Sequence, residues 1–272
     1  MELRDVYRAI AKGEDILCVF PSVLAEELSG VKNIAIAEIS GRDSIAAALK
    51  FIMDGGGDDI LPVADDIPPQ YGDFNEAFSP VFWLRKKAEE YGARVHSLIF
   101  IKEHELYKTL VAKYMREVIS HYGFYTPCIP CHMYFHTIRA PLVKALGGSK
   151  IIGGERDSHD GRIKPSQIPM AIDYYKKAVR ELGSRLVLPL RHIVNTKEII
   201  SFTYEEDTQL SCMFKELHGD LSQSIMQNTG KLRRFLEEFV MPINLKLIRA
   251  LTTDENADIP KLANEFMDNL DK

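Results

Sequence analysis

Residues 33–52 read Asn-Ile-Ala-Ile-Ala-Glu-Ile-Ser-Gly-Arg-Asp-Ser-Ile-Ala-Ala-Ala-Leu-Lys-Phe-Ile, and this stretch decides the fold. The short apolar run at its start is typical of a buried strand. The alanine-rich run at its end predicts a helix, which the glycines at residues 55–57 terminate. A strand joined to a helix by a short polar loop, here residues 40–44, is the repeating unit of a parallel α/β sheet.

The same alternation continues along the chain. Further apolar runs predict strands at residues 59–64, 94–101, 150–152 and 185–188. Helical patterns are predicted at residues 22–28, 79–91 and 105–122, and a loop that becomes a helix at 128–146. We therefore predict an α/β fold, with a parallel sheet covered by helices on both faces. Its domains are an N-terminal helical segment (1–32), the α/β domain (33–196) and a helical C-terminal extension (197–272).

Composition restricts the class of protein. With 272 residues, 46% of them hydrophobic, the chain can bury a sizeable core without disulfides or metals. The formal net charge of −5 argues against a protein that coats nucleic acid by bulk electrostatics. No run approaches the ~18 apolar residues of a membrane span, and the first residues lack the apolar core of a signal peptide. We expect a cytoplasmic location and no membrane partner.

The loop at residues 40–44 has the composition of an anion site. A loop that leads from a strand into a helix presents backbone N–H groups to a ligand at the carboxyl edge of the sheet. Gly41 permits close approach of phosphate, Arg42 adds charge, and the hydroxyls of Ser40 and Ser44 can donate hydrogen bonds. Asp43 could brace the loop or help to hold magnesium. A simple helix cap is the alternative interpretation.

The four cysteines are too few for a disulfide scaffold. Cys128 and Cys131 form a Cys-x-x-Cys pair, which can bind a metal, share a cluster or act in redox chemistry. Two small apolar residues in a turn are the structural alternative. A closed zinc site needs four ligands, and no second pair supplies them. Cys212, expected on a C-terminal helix, is the third candidate ligand, whereas Cys18 is expected to be an ordinary buried cysteine.

The histidines do not suggest a site at this stage. His132 is adjacent to Cys131 and is expected to be poorly placed to join a site made by the cysteines. Six further histidines form no ligand spacing that we recognise: His96, His104, His121, His136, His192 and His218.

Residues 39–44 resemble the Ser-Gly-Gly-x-Asp-Ser signature of the PP-loop ATP pyrophosphatase family. Gly41, Asp43 and Ser44 match it, and Ile39 and Ser40 depart from it. A PP-loop followed by a mid-chain Cys-x-x-Cys and one late cysteine resembles the tRNA thiolation branch. The resemblance is in particular to the enzymes of that branch that hold a [4Fe-4S] cluster through three cysteines.

This resemblance implies a set of site residues. Residues 33–196 would be a PP-loop ATP-binding domain of the HUP type, with ATP and Mg²⁺ as cofactors. The nucleotide would be bound by Ser40, Gly41, Arg42, Asp43, Ser44, Ala64, Asp65, Gly153, Gly154, Glu155 and Arg156. The cluster, or zinc as the alternative, would be held by Cys128, Cys131 and Cys212. The catalytic residues would be Asp43, Ser44, Cys128 and Cys131.

Residues 151–160 are dense in charge and glycine for a loop. Gly153 and Gly154 permit close backbone approach, Glu155 or Asp157 could bind magnesium, and Arg156 could neutralise pyrophosphate. Lys164 and Gln167 follow shortly in the sequence and could reach the same mouth of the site. A solvated loop with mixed charge is the alternative.

The implied reaction adenylates a carbonyl oxygen with release of pyrophosphate, after which sulfur displaces AMP. The partners would be a tRNA or a small carbonyl-containing substrate, a sulfur donor protein or sulfide, and a second copy of the chain in a homodimer. One alternative is an amide-forming ligase of the same family with structural or zinc-binding cysteines. Another is a non-catalytic nucleotide-binding protein that senses nucleotide or relays sulfur.

Overall fold

The computed structural model describes residues 3–200, 202–204, 211–214, 225–254 and 256–270. The strands are β1 (Ala35–Glu38), β2 (Asp59–Asp65), β3 (Gln70–Tyr71), β4 (Arg94–Val95), β5 (Ile99–Ile101), β6 (Lys150–Ile152), β7 (Arg185–Val187) and β8 (Ser211–Cys212). The helices up to the middle of the chain are α1 (Leu3–Lys12), α2 (Ser22–Leu28), α3 (Arg42–Met53), α4 (Phe78–Glu89), α5 (His104–Val111), α6 (Met115–Tyr122), α7 (Cys128–Ile138) and α8 (Ala140–Ala145). They are followed by α9 (Pro169–Glu181), α10 (Thr196–Ile200), α11 (Thr229–Arg234), α12 (Met241–Thr253) and α13 (Ile259–Leu270), with a π-helical segment (Phe235–Val240) between α11 and α12.

The main sheet has six strands, all parallel, in the order β4-β2-β1-β6-β7, and β5 pairs with β2 beyond the end of β4. Ala37 of β1 lies opposite Pro62 of β2 on one side and Ile152 of β6 on the other. The chain therefore builds the sheet outward from β1 in one direction and then, through β6 and β7, in the other. The crevice between β1 and β6 is the switch point, where open α/β sheets bind their ligands.

Apolar side chains cover both faces of this sheet. On one face, the small side chains of α3, such as Ala46 and Ala47, pack with Leu84 of α4 against β1 and β2. On the other face, α7, α9 and α12 form a larger core that also includes Leu3 and Tyr7 of α1. The predicted α/β architecture with helices on both faces is confirmed. No helix among the described residues is long and apolar enough to cross a membrane.

Two predicted elements are divided in the structure. The strand predicted at 94–101 is two strands, because the residues between them bind side chains of other elements. The His96 ring contacts Asp59 at 2.9 Å, and the backbone N–H and hydroxyl of Ser97 donate to the carboxylate of Glu27. The helix predicted at 105–122 breaks between α5 and α6. There, the side chains of Lys113 and Tyr114 both hydrogen-bond to Asn264 of α13, at 3.0 and 2.7 Å.

Two cysteine predictions are corrected. Cys18 is exposed rather than buried, because it lies in a short 3-10 turn at the surface. Cys212 is not helical: it belongs to β8, which pairs antiparallel with β3 so that Cys212 lies opposite Gln70. This small ribbon brings residues 211–214 back to the carboxyl edge of the main sheet. Helix α9, which begins with Pro169 at a position that suits proline, was not predicted.

Candidate functional site

A cavity of about 330 Å³ lies at the switch point. Its walls come from the loop after β1, the loop after β6, the start of α7 and the ribbon of β3 and β8. Among the predicted site residues, it is lined by Ser40, Gly41, Arg42, Asp43, Ser44, Asp65, Cys128, Cys131, Gly154, Glu155, Arg156, Cys212, Lys164 and Gln167. Ala64, Gly153 and Asp157 do not line it: the Ala64 side chain packs in the core on the α3 face, and Gly153 abuts Glu155 and Leu188.

The loop after β1 is organised by one hydroxyl. The Ser44 Oγ accepts hydrogen bonds from the backbone N–H groups of Ser40 (2.9 Å) and Gly41 (3.1 Å), and donates to the Gly41 carbonyl at 2.7 Å. Gly41 has φ 156° and ψ −164°, a conformation that is essentially restricted to glycine. The first backbone bond of α3 joins the Ile45 N–H to the Gly41 carbonyl. The amides of Asp43 and Ser44 come before Ile45, at a helix N-terminus that lines the cavity. An anion site requires backbone N–H groups in this position.

The glycine pair after β6 allows two loops to touch. A Cβ on Gly154 would lie 2.8 Å from the Ser44 nitrogen, and a Cβ on Gly153 would lie 2.6 Å from an oxygen of Glu155. Real Cβ atoms do not make such contacts. Only glycine therefore lets the end of β6 pack directly on the loop after β1.

Cationic groups surround one carboxylate in the cavity. The Nε of Arg156, a fully buried residue, lies 3.4 Å from Asp43 Oδ2. The Arg156 Nη2 donates to His159 Nδ1 at 2.6 Å, so this nitrogen must accept and the imidazole is neutral. Burial, with the charges of Lys164 and Arg156, lowers the pKa of His159 to about 4. Burial raises the pKa of Asp43, and Arg156 and Lys164 oppose this effect.

The three predicted ligand cysteines line the same cavity. Cys128 and Cys131 are buried in the first turn of α7, and three-residue spacing places them on one face of the helix. The Tyr107 hydroxyl lies 3.2 Å from the Cys131 sulfur, as a donor. Burial raises the pKa of Cys128 to about 12 and that of Cys131 well above its usual range. Cys212, on β8, is half-buried.

A second polar cluster lies beside the cysteines. His132 and His136 project from successive turns of α7 toward Glu155, whose Oε1 is 2.9 Å from His132 Nδ1 and 3.2 Å from His136 Nε2. His136 Nδ1 lies 2.7 Å from Glu38 Oε1 at the end of β1. Burial would lower the pKa of His136, but the carboxylates of Glu155 and Glu38 raise it to about 10. Glu155 and Arg156 are both buried, which contradicts the solvated-loop alternative for this segment.

Asp65 forms a buried ion pair with Arg139, which also donates to the Val63 carbonyl at 3.2 Å. Burial raises the pKa of Asp65 to about 6, although the Arg139 guanidinium opposes the shift. Asp157, which was predicted as a possible magnesium ligand, instead contacts Arg191 and His192 at 3.1 and 3.0 Å.

Sequence reasoning missed several residues of this site: Glu38, His132, His136, Arg139 and His159. Two signals were present. Glu38 is an acidic residue inside an otherwise apolar strand, which indicates a buried partner. His132 and His136 are four residues apart, which places both on one face of a helix. The partners themselves come from distant segments and could not be read from spacing.

No family model matches the chain. One solved structure with similarity along the chain is the U34-tRNA thiolase NcsA from Methanococcus maripaludis with its [4Fe-4S] cluster. The alignment covers 97% of this chain and 87% of that chain at 15% identity, and its TM-score of 0.37 marks a weak overall likeness.

A stronger match is found in sequence. The uncharacterized protein MJ0009 of Methanocaldococcus jannaschii is 35% identical over 231 residues, which are 82% of this chain and 83% of the relative. The chain therefore belongs to the same family as the uncharacterized protein MJ0009.

Proposed function

We propose that this chain is an ATP pyrophosphatase that adenylates a carbonyl oxygen of its substrate and replaces that oxygen with sulfur. One observation carries the proposal: the loop at residues 40–44 and all three candidate ligand cysteines line a single cavity at the switch point of the sheet. A phosphate-binding loop alone would suggest only a nucleotide site. Its proximity to the cysteines supports a reaction that uses both.

The chain's own residues would handle the triphosphate as follows. The start of α3 and the backbone around Gly41 receive the phosphates, because helix N-termini attract anions. Arg42, Arg156 and Lys164 supply positive charge where pyrophosphate departs. Asp43 braces Arg156 and is the proposed ligand of the magnesium that accompanies ATP. In this proposal these groups stabilise the negative charge that develops on the phosphates as pyrophosphate departs. They do not act on the substrate carbonyl itself.

The cysteine set can be tested against two metal groups. In a mononuclear zinc site with Zn–S bonds of about 2.3 Å, tetrahedral geometry places the sulfurs about 3.8 Å apart. Among the described residues, Cys128, Cys131 and Cys212 do not form a group whose sulfurs all lie within 4.8 Å of one another. A [4Fe-4S] cluster binds each cysteine through a different iron and therefore accepts wider spacing. The three residues fit the cluster better than one zinc ion.

When bound by three cysteines, such a cluster would offer one iron without a protein ligand, where exogenous sulfide could bind. The chain contributes the buried surroundings of Cys128 and Cys131, which shield this part of the cavity from water. The Tyr107 hydroxyl is directed at the Cys131 sulfur and would orient that ligand. The acceptor would be a nucleobase carbonyl in tRNA or a small carbonyl compound, and the sulfur source sulfide or a donor protein.

The experiment uses the full chain purified without oxygen. Iron, labile sulfide and the visible spectrum are measured first, and then pyrophosphate release from Mg·ATP with sulfide and either total tRNA or a mixture of free nucleosides. Thiolated nucleosides are identified by mass spectrometry. We expect iron in the protein, and pyrophosphate release that depends on one acceptor class and falls at least tenfold in Asp43→Asn.

Matched cysteine variants separate the alternatives. Cys128→Ala and Cys212→Ala should lose iron and thiolation, whereas Cys18→Ala, which changes an exposed cysteine outside the cavity, should retain both. An amide-forming ligase would keep its pyrophosphate release in Cys128→Ala when ammonia replaces sulfide. A wild-type chain that binds neither iron nor ATP would overturn the proposal.

A further inference from the structure

His132, His136 and Glu155 form a compact group of ligand atoms that the proposed reaction does not use. One nitrogen from each histidine and one carboxylate oxygen all lie within 4.8 Å of one another. Among the described residues, no other three histidine, cysteine, aspartate or glutamate side chains form a group this compact. The histidines come from α7 and the carboxylate from the loop after β6. A helix and a loop that are separate elements of the chain therefore meet at this point.

The spacing of these atoms suits a metal ion. Zinc bonds to histidine nitrogen and carboxylate oxygen are about 2.0–2.1 Å, so tetrahedral ligand atoms lie about 3.3 Å apart. Glu155 Oε1 is 2.9 Å from His132 Nδ1 and 3.2 Å from His136 Nε2, so this oxygen needs to move away from each nitrogen by only a few tenths of an ångström. The second oxygen, Glu155 Oε2, is buried and has no hydrogen-bond partner among the described residues.

Glu38 supplies the outer contact that metal-binding histidines usually make. A histidine that binds a metal through one ring nitrogen typically donates its other N–H to a carboxylate, which fixes the tautomer and the ring orientation. Here the Nε2 of His136 points to Glu155, and its Nδ1 lies 2.7 Å from Glu38 Oε1. Both His136 and Glu38 are buried, so water does not provide this contact.

We propose that His132, His136 and Glu155 bind a divalent first-row transition-metal cation, such as Zn²⁺, Fe²⁺ or Mn²⁺, in the wall of the cavity. Two histidines and one carboxylate leave coordination positions open, as in catalytic zinc and ferrous sites. His132 and Glu155 line the cavity, whereas His136 lies behind its wall. The open positions therefore face the cavity, where the cation would act as a Lewis acid on an oxygen of the bound substrate.

Cation binding here is independent of the proposed function, because the ligands include neither the cysteines nor Asp43. Only the action of the cation on a bound substrate rests on that function. It also has a competing explanation without metal: a protonated His136 held between two carboxylates. The two differ in what the protein binds. The test therefore measures cation binding directly, in the absence of ATP, sulfide and acceptor.

The experiment titrates Co²⁺ into the full chain after anaerobic treatment with a chelator, followed by the visible spectrum and calorimetry. Co²⁺ on nitrogen and oxygen ligands gives weak d–d absorption without the intense near-ultraviolet band of cobalt–thiolate bonds, so binding at the cysteines is recognised separately. We expect one Co²⁺ of the nitrogen–oxygen type per chain. Zn²⁺ should displace it.

Variants assign the signal. His132→Gln changes the most exposed of the three ligands and should abolish this band, whereas His104→Gln, outside the cavity, should leave it unchanged. Glu38→Gln should retain the band but weaken binding by about 10–100-fold, the usual effect of losing the outer carboxylate. Cys128→Ala should retain it in full. The proposal is overturned when wild type lacks the band, or when folded His132→Gln, checked by circular dichroism, binds Co²⁺ as wild type does.

Discussion

Gly154 lies against the backbone nitrogen of Ser44, which a Cβ at residue 154 would approach to 2.8 Å. The contact joins the two loops that flank the switch point of the sheet. Backbone is on the opposing side, so the neighbour cannot simply rotate away as a flexible side chain would. The loops after β1 and β6 can therefore lie this close together only because residue 154 has no Cβ.

Gly154→Ala should displace the loop after β1. Overpacking a tight site typically costs about 1–3 kcal/mol, and the displaced amides at the start of α3 should bind ATP more weakly. Urea unfolding and calorimetric ATP titration measure the two effects. Gly230→Ala is the matched control, because a Cβ there meets no atom of the described residues within 4 Å. Equal ATP affinity in Gly154→Ala and wild type would show that the contact does not position the loop.

Ser44→Ala should loosen the same loop from within. It removes the oxygen that accepts from the N–H groups of Ser40 and Gly41, and leaving such partly buried donors without a partner costs about 1–3 kcal/mol. We expect lower stability in urea and faster hydrogen exchange at both amides. Ser79→Ala, at an exposed position of α4, should lose no stability. Unchanged amide protection in Ser44→Ala would contradict this role of the hydroxyl.

His96 should make stability depend on pH far from the cavity. Burial lowers its pKa below the usual 6.5, although Asp59 and Glu27 oppose the shift. The unfolded chain then binds this proton more readily than the folded chain, so the free energy of unfolding should decrease as the pH falls through 6.5. The loss should continue until the pH reaches the lower folded pKa.

Urea unfolding of His96→Gln at several pH values between 5 and 7.5 checks this expectation. Glutamine can keep the contact with Asp59 but does not titrate, so the variant should lose less stability on acidification. His192→Gln, in which an exposed histidine is replaced, should follow wild type. A pH profile of His96→Gln that is identical to wild type would assign the acid sensitivity elsewhere.

The sequence was sufficient for the main parallel sheet, except for the break between β4 and β5, and for the position of the cavity. Alternating apolar and helical patterns predict which residues are buried, and strand ends of a parallel sheet must share one edge. The loop at residues 40–44 could thus be placed beside residues 153–156 without coordinates. Both inferences need only the hydrophobic pattern and the direction of the strands, and a short segment of sequence is enough to indicate these.

The long-range polar pairs could not be predicted in this way. Cys212 reaches the cavity because β8 pairs with β3, although more than a hundred residues separate the two strands in the sequence. Each strand has only two residues, which is too short to show a hydrophobic pattern. The pairing of Glu38 with His136 depends on how α7 crosses the end of β1. Such contacts depend on packing geometry. In the sequence, the only indication of them is the unusual position of an acidic residue, Glu38, in an otherwise apolar strand.

The buried pair of Arg139 and Asp65 provides the clearest energetic test of this second kind of contact, because both side chains are almost fully enclosed. Arg139→Met should destabilise the fold by about 3–5 kcal/mol, since it leaves the Asp65 carboxyl buried without its partner. The double variant Arg139→Met/Asp65→Leu should recover most of that loss, because it removes the stranded carboxyl as well. Arg234→Met, which breaks an exposed pair with Glu238, should have little effect on urea unfolding. A double variant as unstable as Arg139→Met would mean that Arg139 stabilises the fold mainly through its bonds to backbone carbonyls.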